Sequence, residues 1–278
     1  MRLSTCQTPL IALLAFAGVV ATSSSAQAAA FANGDIILAI QDVGTGSFTN
    51  PNVYLLDLTT AGGLSPVGTF PTSTTTLVSN LSSELTSAFP TVSSTNWYTN
   101  PNLLWGVFGY TGGGGVPATY HPFASETEPS LGSPAAGFTG LSQSTLNTAG
   151  SQMKNVYGEA GTYVSTTSQA STAVIAQNTD SNGYAKENPT AQASSFGAFN
   201  NASLGIQGSE ISGSALDLFS QSAANVSNYE GTIKIDSSGD VIFSPTVGAA
   251  PEPGRVMLLG LGMAGLLLRR RRPSTSIQ

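Results

Sequence analysis

Sulfur chemistry is all but absent from this sequence. Its one cysteine, Cys6, precedes the first long apolar run, whereas a lipid-attachment cysteine would follow it. The rest of the chain can therefore form no disulfide, hold no metal through thiolate and present no cysteine nucleophile. A single histidine, His121, excludes multi-histidine metal sites. Charge is equally scarce: charged residues make up 9% of the chain, against about 25% in ordinary soluble proteins. Six of the nine basic residues (Arg2, Arg255 and Arg269 to Arg272) sit near the ends. Between them, Lys154, Lys186 and Lys234 face fourteen acids, a formal charge of −11. A body this acidic, with no basic stripe, is a poor partner for nucleic acid or anionic lipid.

What is present is glycine, small polar residues and a 40% hydrophobic fraction. That apolar content is too high for a disordered chain and fits small polar residues covering a β-rich core. Residues 1–30 read as a secretory signal. Arg2 leads into an apolar stretch from Leu10 to Val20, and small residues end in Ala26-Gln27-Ala28-Ala29-Ala30, with cleavage expected after Ala28 or Ala30.

The other end is more specific. Pro251-Glu252-Pro253-Gly254-Arg255 leads into Val256 to Leu268, an unbroken run of apolar residues and glycine closed by Arg269, Arg270, Arg271 and Arg272. As a helix these 13 residues would span roughly 20 Å, short of a bilayer core of about 30 Å. The run has no polar face, however, and the bracketing arginines can snorkel to the headgroups and lengthen the effective span. The four terminal arginines predict a cytoplasmic C-terminus with the body outside. Within the run, Gly260-Leu261-Gly262-Met263-Ala264-Gly265 fits a dinucleotide fingerprint in letters only. No acidic residue follows it, and the glycines suit close packing in a membrane.

Pro-Glu-Pro, a short apolar segment and a terminal arginine cluster resemble the PEP-CTERM sorting signal of Gram-negative bacteria. The resemblance implies that the tail parks an exported protein in the inner membrane, where an exosortase, a membrane cysteine transpeptidase, processes it near Pro251, Glu252 and Pro253. It also implies association with extracellular polysaccharide and biofilm matrix. Gly254-Arg255 departs from the small hydroxyl residues common at that place. Body segments resemble a recurrent group of PEP-CTERM proteins to which no activity attaches. They are Gly34-Asp35-Ile36-Ile37-Leu38, Asn96-Trp97-Tyr98-Thr99, Leu103-Leu104-Trp105-Gly106-Val107 and Leu216-Asp217-Leu218-Phe219.

The chain thus divides into a signal peptide (1–30), an exported β-rich domain (31–248) and a sorting and anchor segment (249–278). The expected fold of the middle part is mainly β (α+β), sandwich-like, with two or three short helices. Asp35 to Gln41 and Asn52 to Leu58 alternate as strands, the first with Ile36, Leu38 and Ile40 on one face. Asn80 is placed to cap a helix in which Leu81, Leu85 and Phe89 recur. Leu103 to Tyr110 reads as a central strand covered on both faces, and Gln143 to Tyr157 as a helix. Ala170 to Gln177 reads as a strand, and Tyr229 to Asp236 pairs with Val241 to Ser244 as a hairpin.

Candidate chemistry in the body is thin. His121 has no Gly-x-Ser-x-Gly elbow to serve. Glu126 and Glu128 read as solvated loop acids, although a glycosidase would need two such carboxylates across a cleft. Asn178, Asp180 and Asn182 with Gly183 match the first ligands of a calcium loop, but position 12 is Pro189 and Glu187 comes early. An Asn/Asp/Gly turn has the same composition, and the turn is the favoured reading; otherwise no cofactor is expected. Thr74-Thr75-Thr76 is a hydroxyl cluster without the repeat of an ice-binding array. Trp97 and Tyr98, if exposed on a flat face, would support carbohydrate binding. The expected role is a non-catalytic structural or adhesive protein of the cell surface or matrix. The alternatives are a carbohydrate- or ice-binding module and a secreted glycoside hydrolase.

Overall fold

The most apolar stretch of the body, LLWGVFGY, lies at the centre of the molecule. The structure, a computed structural model, describes residues 31–42, 52–64, 70–115, 119–129, 134–160, 173–177, 198–199, 204–205, 209–212 and 215–245. In chain order the first elements are β1 (Ile36–Asp42), β2 (Asn52–Asp57), α1 (Leu58–Gly62), β3 (Thr75–Val78), α2 (Ser82–Ala88), β4 (Leu103–Gly112), β5 (Tyr120–Thr127) and α3 (Gln143–Ala160). There follow β6 (Ala173–Gln177), β7 (Ala198–Phe199), β8 (Leu204–Gly205), β9 (Ser209–Glu210), β10 (Leu216–Ala223), β11 (Val226–Ile235) and β12 (Val241–Ser244).

Ten strands join in one antiparallel sheet of order β3-β12-β11-β10-β5-β4-β1-β2-β6, with β9 also on β4, while β7 and β8 pair separately. The mainly β expectation with few helices therefore holds. In place of two stacked layers, a single sheet curls on itself. Leu77 of β3, at one edge, packs against Gly62 of α1, which follows β2 near the other.

Curling gives the sheet an inner and an outer core. Ile36, Leu38, Ile40, Tyr54, Leu56, Trp105 and Val107 point inward to Leu218, Ile233 and Phe243. Ile37, Ala39, Val53, Leu55 and Phe108 point outward. Strands buried on both faces read as continuous apolar runs, and β1, Ile-Ile-Leu-Ala-Ile, does so. Each large aliphatic or aromatic side chain fully buried here contributes about 1.5–3 kcal/mol.

The N-terminus of α2 differs from the expected cap. Asn80 has a φ of 59° and its Oδ1 accepts from the Ser82 hydroxyl at 2.7 Å. The residue preceding the helix is Leu81, whose N–H donates to Gly239 O at 2.9 Å in the β11–β12 turn. Leu81, Leu85 and Phe89 are fully buried, so the periodicity was the reliable signal and the cap was not.

Helix α3 covers the outer core with Leu146, Ala149, Met153, Val156 and Tyr157. The Tyr157 hydroxyl donates to Asp35 O at 2.8 Å, tying the helix to the start of β1. Where α3 crosses β5 the packing is close enough to require glycine: a Cβ on Gly150 would sit 2.4 Å from Tyr120 Cβ and 2.6 Å from its Cγ.

Gly150→Ala opposes two effects. Alanine improves helix propensity by about 1 kcal/mol, but overpacking costs about 1–3 kcal/mol, and the obstructing Tyr120 atoms are fixed to the strand backbone. We expect a net loss of about 1 kcal/mol, read as a lower urea midpoint at unchanged slope. A midpoint at or above that of the natural chain would mean that helix and sheet are not in close contact.

Candidate functional site

Strand β5, Tyr-His-Pro-Phe-Ala-Ser-Glu-Thr, lies between β4 and β10 although it is rich in polar residues. One of its buried polar groups is satisfied by a neighbouring strand. Ser125 is fully buried and its Oγ accepts the Val107 N–H at 2.9 Å, where the β4–β5 register has ended at Phe108↔Ala124. Pro122 has no N–H to donate, and the β5–β10 register stops beside it, at Phe123↔Ser220. Beyond that point β5 and β10 share no further ladder, and a cleft opens.

Two further irregularities shape this cleft. Register shifts in β10–β11 lie between Leu218 and Phe219 and between Gln221 and Ala223. At the first, Leu218 opposes Gly231 and Phe219 opposes Tyr229, so Glu230 is the extra residue of a bulge. Gly231 has a φ of 153°, and a Cβ there would meet the Phe243 ring at 2.5 Å. The bulge needs glycine, and it brings Glu230 to the Ser220 hydroxyl, which donates to Glu230 Oε1.

The cleft encloses about 320 Å³. Phe70 and Phe123 give it an aromatic floor, their ring centroids 6.2 Å apart, and Phe70 stacks on Phe243 at 5.7 Å. Thr111, His121, Ser220, Gln221, Ser222 and Glu230 supply polar groups. His121 Nδ1 and Gln221 Oε1 are buried without a hydrogen-bond partner among the described residues. The Gln221 amide nitrogen is held by Ser227 Oγ at 2.8 Å. A second, smaller hollow of about 230 Å³ lies by the β4–β5 turn, lined by Asn33, Tyr110, Tyr120 and Lys154. Burial, with Tyr120 and Asp35 nearby, pushes the Tyr110 hydroxyl up to about 12.

Comparison with known protein families, with curated proteins and with solved structures finds no match to this chain.

Of the residues singled out in the sequence, the structure brings only His121 into the cleft. Trp97 is buried in the inner core and in edge contact with half-buried Tyr98 at 5.4 Å, so the pair forms no flat exposed platform. Thr75 and Thr76 belong to β3 and Thr74 precedes it; the Thr74 hydroxyl lies 3.3 Å from Ser244 Oγ. Glu126 and Glu128 are not solvated loop acids: Glu126 lies in β5 and Glu128 is buried just beyond it. The carboxylate opposite Glu126 is Asp217 of β10. The candidate calcium residues Asn178, Asp180 and Asn182 lie outside the described residues. So do Ala28, Ala30, Pro251, Glu252, Pro253, Val256, Leu268 and Arg269 to Arg272. Among the described residues, no three acids or histidines cluster as a metal site, and no helix is long and apolar enough to cross a membrane.

The Glu126–Asp217 pair lies beneath the segment that precedes α3. Ala135 N–H donates to Asp217 Oδ2 at 2.7 Å and Gly137 N–H to Glu126 Oε2 at 3.0 Å. Thr232 Oγ1 donates to Asp217 Oδ1 at 2.9 Å. Burial raises both carboxyls above their ordinary values. The backbone bonds partly offset this, and the Asp217 charge adds to the rise at Glu126. With the acids clamped by backbone, the arrangement pins a strap to the sheet rather than flanking an open cleft.

Carboxyls raised in the folded state bind more protons there than in the unfolded chain. Their contribution therefore falls as pH rises through and above the ordinary carboxylate range, from about pH 4 upward. Glu126→Gln keeps an oxygen for Gly137 N–H and removes the opposed like charge. At pH 7 the variant should be more stable than the natural chain by about 0.5 kcal/mol, the difference shrinking to nothing by about pH 4. A pH-independent loss of stability in urea titrations would show that the carboxylate itself is required.

Proposed function

We propose that the chain is an exported bacterial envelope protein, delivered by its N-terminal signal and sorted by a PEP-CTERM tail. Its body serves a non-catalytic, structural or adhesive role at the cell surface or in the extracellular matrix. The observation that carries this reading is the order of Pro251-Glu252-Pro253, the apolar run Val256 to Leu268 and the stop Arg269 to Arg272. The tail holds the precursor transiently in the inner membrane, an exosortase is its processing partner, and residues 31–248 are delivered outward. Extracellular polysaccharide is the expected neighbour, and no cofactor is needed.

A non-catalytic body is supported by its inventory of groups. Catalysis asks for a tuned acid or base, a nucleophile or a metal. Past Cys6 the chain has one histidine and no cysteine. The two acids that stand opposite each other are both engaged by backbone N–H groups.

Two measurements test the proposal. In cells with an exosortase, the chain should lose a C-terminal piece containing Arg269 to Arg272 and leave the inner-membrane fraction; without the enzyme it should remain there intact. Intact precursor persisting beside an active exosortase would contradict the sorting reading. The purified protein should show no turnover of glycan, ester or peptide substrates. Hydrolysis abolished by Glu126→Gln would promote the hydrolase alternative.

A further inference from the structure

We propose that the cleft between the ends of β5 and β10 is a binding site for a neutral saccharide unit. The inference is independent of the sorting reading, since it uses only residues of the curled sheet.

The lining decides the chemistry by elimination. Among the described residues Glu230 is the only acid around the cleft and no lysine or arginine lines it, so an anionic ligand would be repelled. One carboxylate and one imidazole are too few to hold a hard cation, which takes six or more oxygen ligands. A purely apolar ligand would strip water from the Glu230 carboxylate and from the Thr111 and Ser222 hydroxyls without replacing the hydrogen bonds they lose. What remains is a neutral molecule with one apolar face and several hydroxyls. A sugar ring has this build: its C–H face lies on aromatic carbon while its edge donates and accepts hydrogen bonds.

The parts are placed for that division. Phe70 and Phe123 offer the aromatic surface. Glu230, which spends Oε1 on Ser220, is a strong acceptor for a ligand hydroxyl. Thr111 and Ser222 add hydroxyls that donate or accept as required. A volume of about 320 Å³ is at the small end of ligand pockets, which run from about 300 to 1,000 Å³. It suits a single ring or the end of a chain rather than a long glycan in a groove. Pro122 ends one ladder and the Glu230–Gly231 bulge distorts the next, so two backbone irregularities meet at the site. Bulges of this kind commonly re-aim a side chain beside a site.

The test is ligand-observed NMR titration of the full chain, purified in a detergent without a sugar headgroup. The probes are glucose, galactose and N-acetylglucosamine, with glucuronate and calcium as contrasts. At least one neutral sugar should bind saturably. Phe70→Leu and Glu230→Gln should each weaken it by about tenfold, the loss expected of a central contact. Glucuronate should bind more weakly than glucose, and Glu230→Gln should narrow that gap. Phe70 is only half-buried, so its leucine variant should melt like the natural chain; if it does not, Glu230→Gln decides. No saturable binding by any neutral sugar would overturn the proposal. So would binding unchanged in the folded variants, or a preference for glucuronate or calcium.

Discussion

The fold depends on one constraint: the β1–β4 pair has apolar side chains on both faces and must be covered twice. Ile37 pairs with Phe108 and Leu38 with Val107, so neighbouring positions point alternately into two different cores. No flat sheet exposed on one side could satisfy this. The inner set is buried by curling β10, β11 and β12 over it, the outer set by laying α3 across it. Trp105, Phe108 and Phe243, each almost fully buried, mark how completely both are closed.

Curling has a cost in hydrogen bonds that the polar residues of β5 and β10 offset. Where β4 and β5 part, the Val107 N–H is taken up by Ser125, and β9 continues along β4 at Trp105 and Leu104. On the outer face of β10, Asp217 is fully buried yet receives bonds from Ala135 and Thr232. Beyond Pro122 the separation is left open; His121 Nδ1 and Gln221 Oε1 there lack partners among the described residues, as do the Gln41 amide, the Tyr54 hydroxyl and Trp105 Nε1 elsewhere in the sheet.

These facts explain which parts could be read in the sequence. Strands buried on both faces announce themselves as apolar runs, so β1, β2 and β4 were legible, as were the 3.6-residue spacing of α3 and the final hairpin. Strand β5 was not, because histidine, proline and an acid argue against a strand unless one knows what lies beside them. Glu126 looked like a loop acid because its partner, Asp217, is 91 residues away along the chain. The direction of Trp97 was not legible, because an aromatic pair in a polar context gives no hint of it; it points inward. Of the cleft only His121 was noticed. Gly231 after Glu230 was the one local sign of a bulge.

Native-state hydrogen exchange tests the central claim most directly. If the doubly buried pair holds the structure together, amides of Ile37, Leu38, Val107 and Phe108 should exchange only by global unfolding, with the free energy that denaturant titration gives. Amides flanking the cleft, from Gln221 to Ala223, should open at lower free energy. Equal protection across the sheet, or faster exchange in β1 and β4 than in β10 and β11, would contradict the account.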